Sequence, residues 1–345
     1  MNAKTTAEKV QDYYGKVLQS SADLKTSACC PIDAMPAHLL PLMRNLHDDV
    51  KNKFYGCGSP IPLAIDGATV LDLGCGTGRD AYLLAQLVGE SGNVIGVDMT
   101  DEQLDVARAH DDFHRKAFGY ARSNTRFEKA YIEDLGFLDD NSVDVVVSNC
   151  VINLSADKAA VFEEIFRVLK PGGELYFSDI YASRRISQPL REDPVLLGEC
   201  LSGALYTEDF RRMMADVGCQ DFRIMSKGTV ELHDPVIIEK IGMVDFYSIT
   251  VRAFKLDLED RCENFGQIAT YRGGIKHAIH QFALDDHHLF EKGLPMPICS
   301  NTARMLEDTR LAAFFDILGN ADTHYGLFDC GADDGVKTSS EAPCC

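Results

Sequence analysis

Between residues 68 and 178, short apolar runs alternate with segments of helical period, and this alternation restricts the fold more than any other feature. Ala68–Leu73, Asn93–Val97, Thr125–Ala130, Val143–Val147 and Glu174–Ser178 read as strands. Ala81–Val88, Glu102–Phe118 and Ala159–Leu169 read as the helices between them, and Pro171-Gly172-Gly173 as a turn before the last strand. Strands that are apolar throughout need cover on both faces, and strands separated by helices pair in parallel. The expected class is α/β, a Rossmann-like parallel sheet. A helix at Thr207–Val217 and a strand at Phe222–Met225 continue it. Ser248–Lys255 and Gly266–Tyr271 read as strands of a smaller α+β unit, while Ala7–Leu18 and Leu39–Phe54 have helical spacing ahead of the sheet. We therefore expect an N-terminal helical cap over 1–60, the sheet domain over 61–230, a small C-terminal α+β domain over 231–330 and a polar tail over 331–345.

The first strand runs into Leu71-Asp72-Leu73-Gly74-Cys75-Gly76-Thr77-Gly78, which leads into a helix. Glycines at such a junction let the backbone approach a ligand closely. The spacing here is GxGxG, where dinucleotide enzymes show GxGxxG. Asp98 stands at the end of the second strand, where an acidic residue would hold a ribose diol. S-adenosyl-L-methionine has no phosphates and carries an ammonium group that Asp72 could face. Just past the third strand, Ile132 is placed to pack on an adenine and Glu133 to accept from its amino group. A dinucleotide-binding domain remains the alternative reading of the loop.

Charge narrows the partners. The chain has 345 residues, with 34 Lys and Arg against 53 Asp and Glu, a net charge of -19. Nucleic acid and anionic membrane surfaces are poor partners for such a chain. The first residues show no apolar secretion signal, and no apolar run is long enough to span a bilayer. A cytoplasmic monomer is expected, and its 12 cysteines then need a reason other than structural disulfides.

The residue offered at the end of the fourth strand is Cys150, in Ser148-Asn149-Cys150-Val151. Cys200 lies in the segment after the fifth strand, and Cys57 and Cys29 lie in turns. None shows CxxC spacing, which weakens a zinc site. Soft thiolates select soft ions. A trivalent metalloid held by three sulfurs keeps a lone pair that can attack a sulfonium methyl group without a base. The chemistry thus points to As(III) or a similar element as methyl acceptor.

The chain resembles the arsenite S-adenosylmethionine methyltransferases. The carrying stretches are Gln11–Gly15, Phe54–Gly58, Val70–Asp80, Gly96–Thr100, Val147–Leu154, Gly173–Asp179 and Gly198–Tyr206. The resemblance implies four functional cysteines matching Cys29, Cys57, Cys150 and Cys200. Cys57, Cys150 and Cys200 would ligate As(III), with Cys29, rather than its neighbour Cys30, entering by exchange. It implies disulfide cycling during turnover, with thioredoxin or glutathione restoring the thiols, and mono- and dimethylated products. The same stretches add Tyr55, Thr77, Met99, Asn149 and Val151 to the cofactor set of Asp72, Gly74, Gly76, Gly78, Asp98, Ile132 and Glu133. Cys75 is taken as a loop residue. Cys219, Cys262, Cys299 and Cys330 match nothing functional, and Cys344-Cys345 is taken as an exposed tail. Two rivals stay open: a methyltransferase acting on carbon or oxygen of a small lipid or quinone, and a metalloid-binding protein that does not turn over.

Overall fold

The computed structural model describes residues 35–52, 56, 58–191, 193, 196 and 201–330. The helix expected at Ala7–Leu18 and the tail from 331 lie outside them.

Strands β1 (Thr69–Leu73), β2 (Asn93–Asp98), β3 (Thr125–Lys129), β4 (Val143–Asn149), β5 (Leu169–Ala182), β7 (Phe222–Thr229) and β8 (Phe246–Phe254) form one sheet in the order β3-β2-β1-β4-β5-β8-β7. The two-residue β6 (Leu205–Tyr206) pairs with the end of β5. The first five strands are parallel, and β8 runs antiparallel between β5 and β7. This is the Rossmann-like architecture read from the alternation. The helices Arg79–Val88 and Asp101–Ala109 supply side chains to one face, including Leu83, Leu84 and Leu104. Lys158–Val168 and Thr207–Asp216 cover the other with Phe162, Ile165, Phe210 and Met214. The strand order reverses direction between the parallel neighbours β1 and β4, which opens a crevice at the strands' carboxyl ends.

Four local readings change. Leu39–Phe54 is not one helix: short turns of helix at Leu40–Met43 and Asp48–Lys51 are separated at His47, whose ring accepts from the Asp49 N–H (3.2 Å). Glu102–Phe118 is likewise two helices, broken at His110 (φ -103°, ψ 7°) and resuming at Asp111–Phe118. Asp111, opening the second, accepts from the Ser123 hydroxyl (2.6 Å), and the helix seats His114 against the Tyr82 ring. Pro171-Gly172-Gly173 falls inside β5, where the register to β4 shifts in a bulge. The strand expected at Ser248–Lys255 forms as β8 within the large sheet, so the sheet runs on to Phe254 rather than ending near residue 230.

Beyond it, β9 (Gln267–Tyr271) pairs with β12 (Pro295–Ile298) and β13 (Phe315–Leu318) around a core that includes Tyr271, Phe290 and Leu306. β10 (Gln281–Ala283) and β11 (Leu289–Glu291) form a separate hairpin. Among the described residues, no helix is long and apolar enough to cross a membrane.

Candidate active site

A crevice lies over the carboxyl ends of β1 and β4. Its lining includes Asp72, Gly74, Gly76, Thr77, Asp98, Met99, Ile132, Glu133, Asn149 and Val151, and also Cys150. All of these stood in the expected site. The loop takes its shape from Gly74, at φ +65°, where a Cβ would sit 2.3 Å from a Val151 methyl. Only glycine combines that left-handed backbone with so close an approach. Gly78 is not among the lining residues; it begins the Arg79–Val88 helix and packs toward Phe127 and Tyr82.

Asp98 holds the loop as well as facing the crevice. One carboxylate oxygen accepts from the Gly76 N–H (3.0 Å) and the other from the Thr100 N–H (2.8 Å). Burial raises its pKa, and those two backbone donors oppose the rise. Asp72 is buried, and its Oδ2 has no hydrogen-bond partner among the described residues. Desolvation, reinforced by the Asp80 and Asp98 charges, lifts its pKa well above the usual carboxylate range. Among the described residues, the lining acids Asp72, Asp80, Asp98 and Glu133 face a single base, Arg79, which is paired with Asp80 (2.7 Å). An acidic crevice with an orphaned buried carboxylate oxygen repels phosphates and suits a cation. S-adenosylmethionine, with its ammonium and sulfonium, fits it; a dinucleotide does not.

Thr77 lines the crevice, while its hydroxyl donates to the Val50 carbonyl (3.1 Å) and so ties the N-terminal helical turns to the loop. Glu133 accepts from the Ser155 hydroxyl. The Asn149 amide donates to Asp80 (3.0 Å) and to the Gly58 carbonyl (2.9 Å). Arg79, Asp80, Thr100, Gln103 and Ser155 are lining residues that the sequence reading missed. Asp80 and Gln103 sit in the first turns of helices that leave β1 and β2, and that position was their one available signal.

Cys150 follows β4 at φ +58°, a conformation that costs a non-glycine residue about 1–3 kcal/mol. Its N–H donates to the Ser178 carbonyl (2.9 Å), and its sulfur is in a disulfide. Cys29, Cys30, Tyr55, Cys57, Cys200, Cys344 and Cys345 lie outside the described residues, but neighbours of two of them are informative. Gly58 abuts Asn149 and Ser178, where an added Cβ would sit 2.6 Å from the Ser178 hydroxyl oxygen. Leu201 packs in the same apolar cluster as Cys150, Ile180 and Ala204. The turn after it is seated on Asn153, whose amide donates to the buried Asp179 (2.6 Å). A Cβ at Gly203 would meet the Asn153 carbonyl oxygen at 2.0 Å. Cys75 is a loop residue as expected: buried against Gly96, with burial raising its thiol well above the ordinary range.

Residues 65–218 match a family model described as a methyltransferase domain. An arsenite methyltransferase of Aquipseudomonas alcaligenes is 53% identical over 98% of this chain and 99% of its own. The arsenite methyltransferase of Homo sapiens is 40% identical over 89% of this chain and 82% of its own. A crystal structure of an arsenic(III) S-adenosylmethionine methyltransferase from Chlamydomonas reinhardtii is similar at a TM-score of 0.83, with 49% identity over 86% of this chain and all of that one.

Proposed function

The chain belongs to the arsenite methyltransferases, and from that premise we propose that it methylates As(III) held by Cys57, Cys150 and Cys200, with Cys29 entering by exchange. The observation that carries this reading is the convergence of chain neighbours on one point. Gly58, next to Cys57, and Leu201, next to Cys200, both pack beside the Asn149-Cys150 end of β4.

S-adenosylmethionine, when bound, supplies the electrophilic methyl group. Asp72 would receive its ammonium, Asp98 its ribose, and Ile132 with Glu133 its adenine. Gly74 and Gly76 would keep the loop backbone near enough to the ligand, Thr77, Met99, Asn149 and Val151 line the same crevice, and Tyr55 is added from the family resemblance alone. With the donor fixed in this way, the chain's remaining task is alignment of a nucleophile, which can account for most of a displacement's acceleration. A three-thiolate arsenic keeps its lone pair, so no general base is required. The absence of any such demand suits a crevice whose carboxylates are already engaged or face the donor. Transfer spends that lone pair and leaves formal As(V), which two of the holding thiolates would reduce to As(III) by leaving as a disulfide before a second methyl group is accepted.

Cys150 is in a disulfide, and both halves must be thiols before they can hold arsenic. Two equivalents of a small thiol such as glutathione, or the dithiol of thioredoxin, would reduce it by exchange, leaving their own disulfide. We place the reaction in the cytoplasm, where such reductants are abundant, and take mono- and dimethylated arsenic as products of a monomeric enzyme.

Arsenite, thiols and methyl-labelled S-adenosylmethionine test the reading. Cys150→Ser and Cys200→Ser should each lose label transfer to arsenic by orders of magnitude while retaining cofactor binding. Cys57→Ser should depress the first transfer more than the second, because only the inorganic ion needs three thiolates. Full activity in both Cys150→Ser and Cys200→Ser would refute the acceptor site.

A further inference from the structure

Cys262, Cys299 and Cys330, which methyl transfer leaves unused, meet in the C-terminal half of the chain. Their sulfurs all lie within 4.8 Å of one another, and all three are free thiols. Cys262 is hydrogen-bonded to both of the others. Three separate segments supply them, and backbone bonds clamp those segments together. The Phe328 N–H donates to the Cys262 carbonyl (2.7 Å), the Asn264 N–H to Gly326 (2.8 Å), and the Ser300 N–H to Glu263 (2.9 Å). Cys299 is fully buried at the start of the Ser300–Glu307 helix, where its sulfur accepts from the Thr302 N–H at 3.4 Å. The Arg223 guanidinium stands 3.9 Å from the same sulfur and is itself paired with Asp221 and Asp285. Hydrogen bonding from Cys262, then Arg223 and Thr302, outweigh burial and hold the Cys299 thiol well below its ordinary range.

The trio is separate from the crevice. Neither the cysteines nor Arg223 and Thr302 line it, and β7, which carries Arg223, lies three strands from β4. Zinc in structural sites takes four ligands. Among the described residues this group offers three. Three thiolates complete a neutral As(III) complex whose lone pair occupies the fourth position, so no further ligand is needed. Metal–sulfur bonds of about 2.3 Å place sulfurs roughly 3–4 Å apart around a common centre, within reach of the spacing observed.

We propose that Cys262, Cys299 and Cys330 form a second As(III) site, distinct from the site of methyl transfer and independent of that reading. Binding As(OH)3 breaks three As–O bonds and forms three As–S bonds. The hydroxides leave as three waters, taking the thiol protons, with one proton from solvent where Cys299 is already a thiolate. No oxidation state changes.

The test uses the full chain with Cys29, Cys30, Cys57, Cys150, Cys200, Cys344 and Cys345 each changed to serine, reduced and equilibrated anaerobically with sodium arsenite. One arsenic per chain should remain after desalting, with three sulfur and no oxygen neighbours in arsenic X-ray absorption. Adding Cys262→Ser or Cys299→Ser should abolish it without altering the far-ultraviolet circular dichroism. Should that background not fold, the same single substitutions in the otherwise native chain should lower bound arsenic by one equivalent per chain. Unchanged stoichiometry in folded Cys262→Ser and Cys299→Ser overturns the proposal. So does zinc chloride held at these thiols that arsenite does not displace.

Discussion

Asp72 is placed where an isolated carboxylate is least comfortable, buried and next to Asp80 and Asp98. Its raised pKa means that the empty protein keeps it protonated to higher pH than an exposed aspartate. A native pKa above the unfolded value near 3.9 makes the group's contribution to stability fall as pH rises through the native pKa. A bound ammonium reverses the preference. Cofactor binding should therefore strengthen with rising pH and release a proton, seen in calorimetry as a heat that depends on the buffer's ionisation enthalpy. Asp72→Asn should remove that proton release and weaken binding about 10- to 100-fold, the worth of roughly 1.5–3 kcal/mol for a hydrogen bond to a charge. An unchanged affinity would show that the ammonium binds elsewhere. Asp72 was legible in the sequence because it precedes a glycine loop; its raised pKa was not, since that depends first on burial and then on Asp80 and Asp98 folding against it.

Elements were legible where one period ran without interruption. The helix expected at Ala159–Leu169 forms at Lys158–Val168, capped by Asp157 on the Ala160 N–H (3.1 Å). Glu102–Phe118 has the same period on both sides of His110, so the break was invisible to it. The turn after Leu201 shows the functional side of such local geometry. Gly203→Ala would force a methyl against the Asn153 carbonyl and displace the turn that carries the residues next to Cys200. Methyl transfer should fall by about 100-fold, as for an ångström of misplacement, while cofactor affinity holds. Equal loss of both would mean that the turn supports the donor crevice instead.

At the scale of the whole molecule, Glu174 on β5 is fully buried between Arg252 (2.6 Å) and Arg310. Arg252 also donates to the Ala283 and Leu284 carbonyls, and Arg310 to Leu63 and Ala64. One carboxylate thus joins the large sheet, the C-terminal strands and the segment leading into β1. Glu174→Ala leaves two guanidiniums without their partner and should cost about 3–5 kcal/mol, measured as a lower urea midpoint. A shift within error would mean that solvent reaches both arginines.

The residue order alone determined the parallel sheet and the donor loop, because period and local spacing are properties of neighbours along the chain; the four cysteines to test came from the resemblance to the arsenite methyltransferases. Tertiary structure decided the rest. It placed β8 inside the large sheet, put Gly58 and Leu201 beside Cys150, and gathered Cys262, Cys299 and Cys330. Each of these is a meeting of segments far apart in sequence, set by which apolar faces cover one another and which charges must be paired in the interior. No local pattern records such meetings.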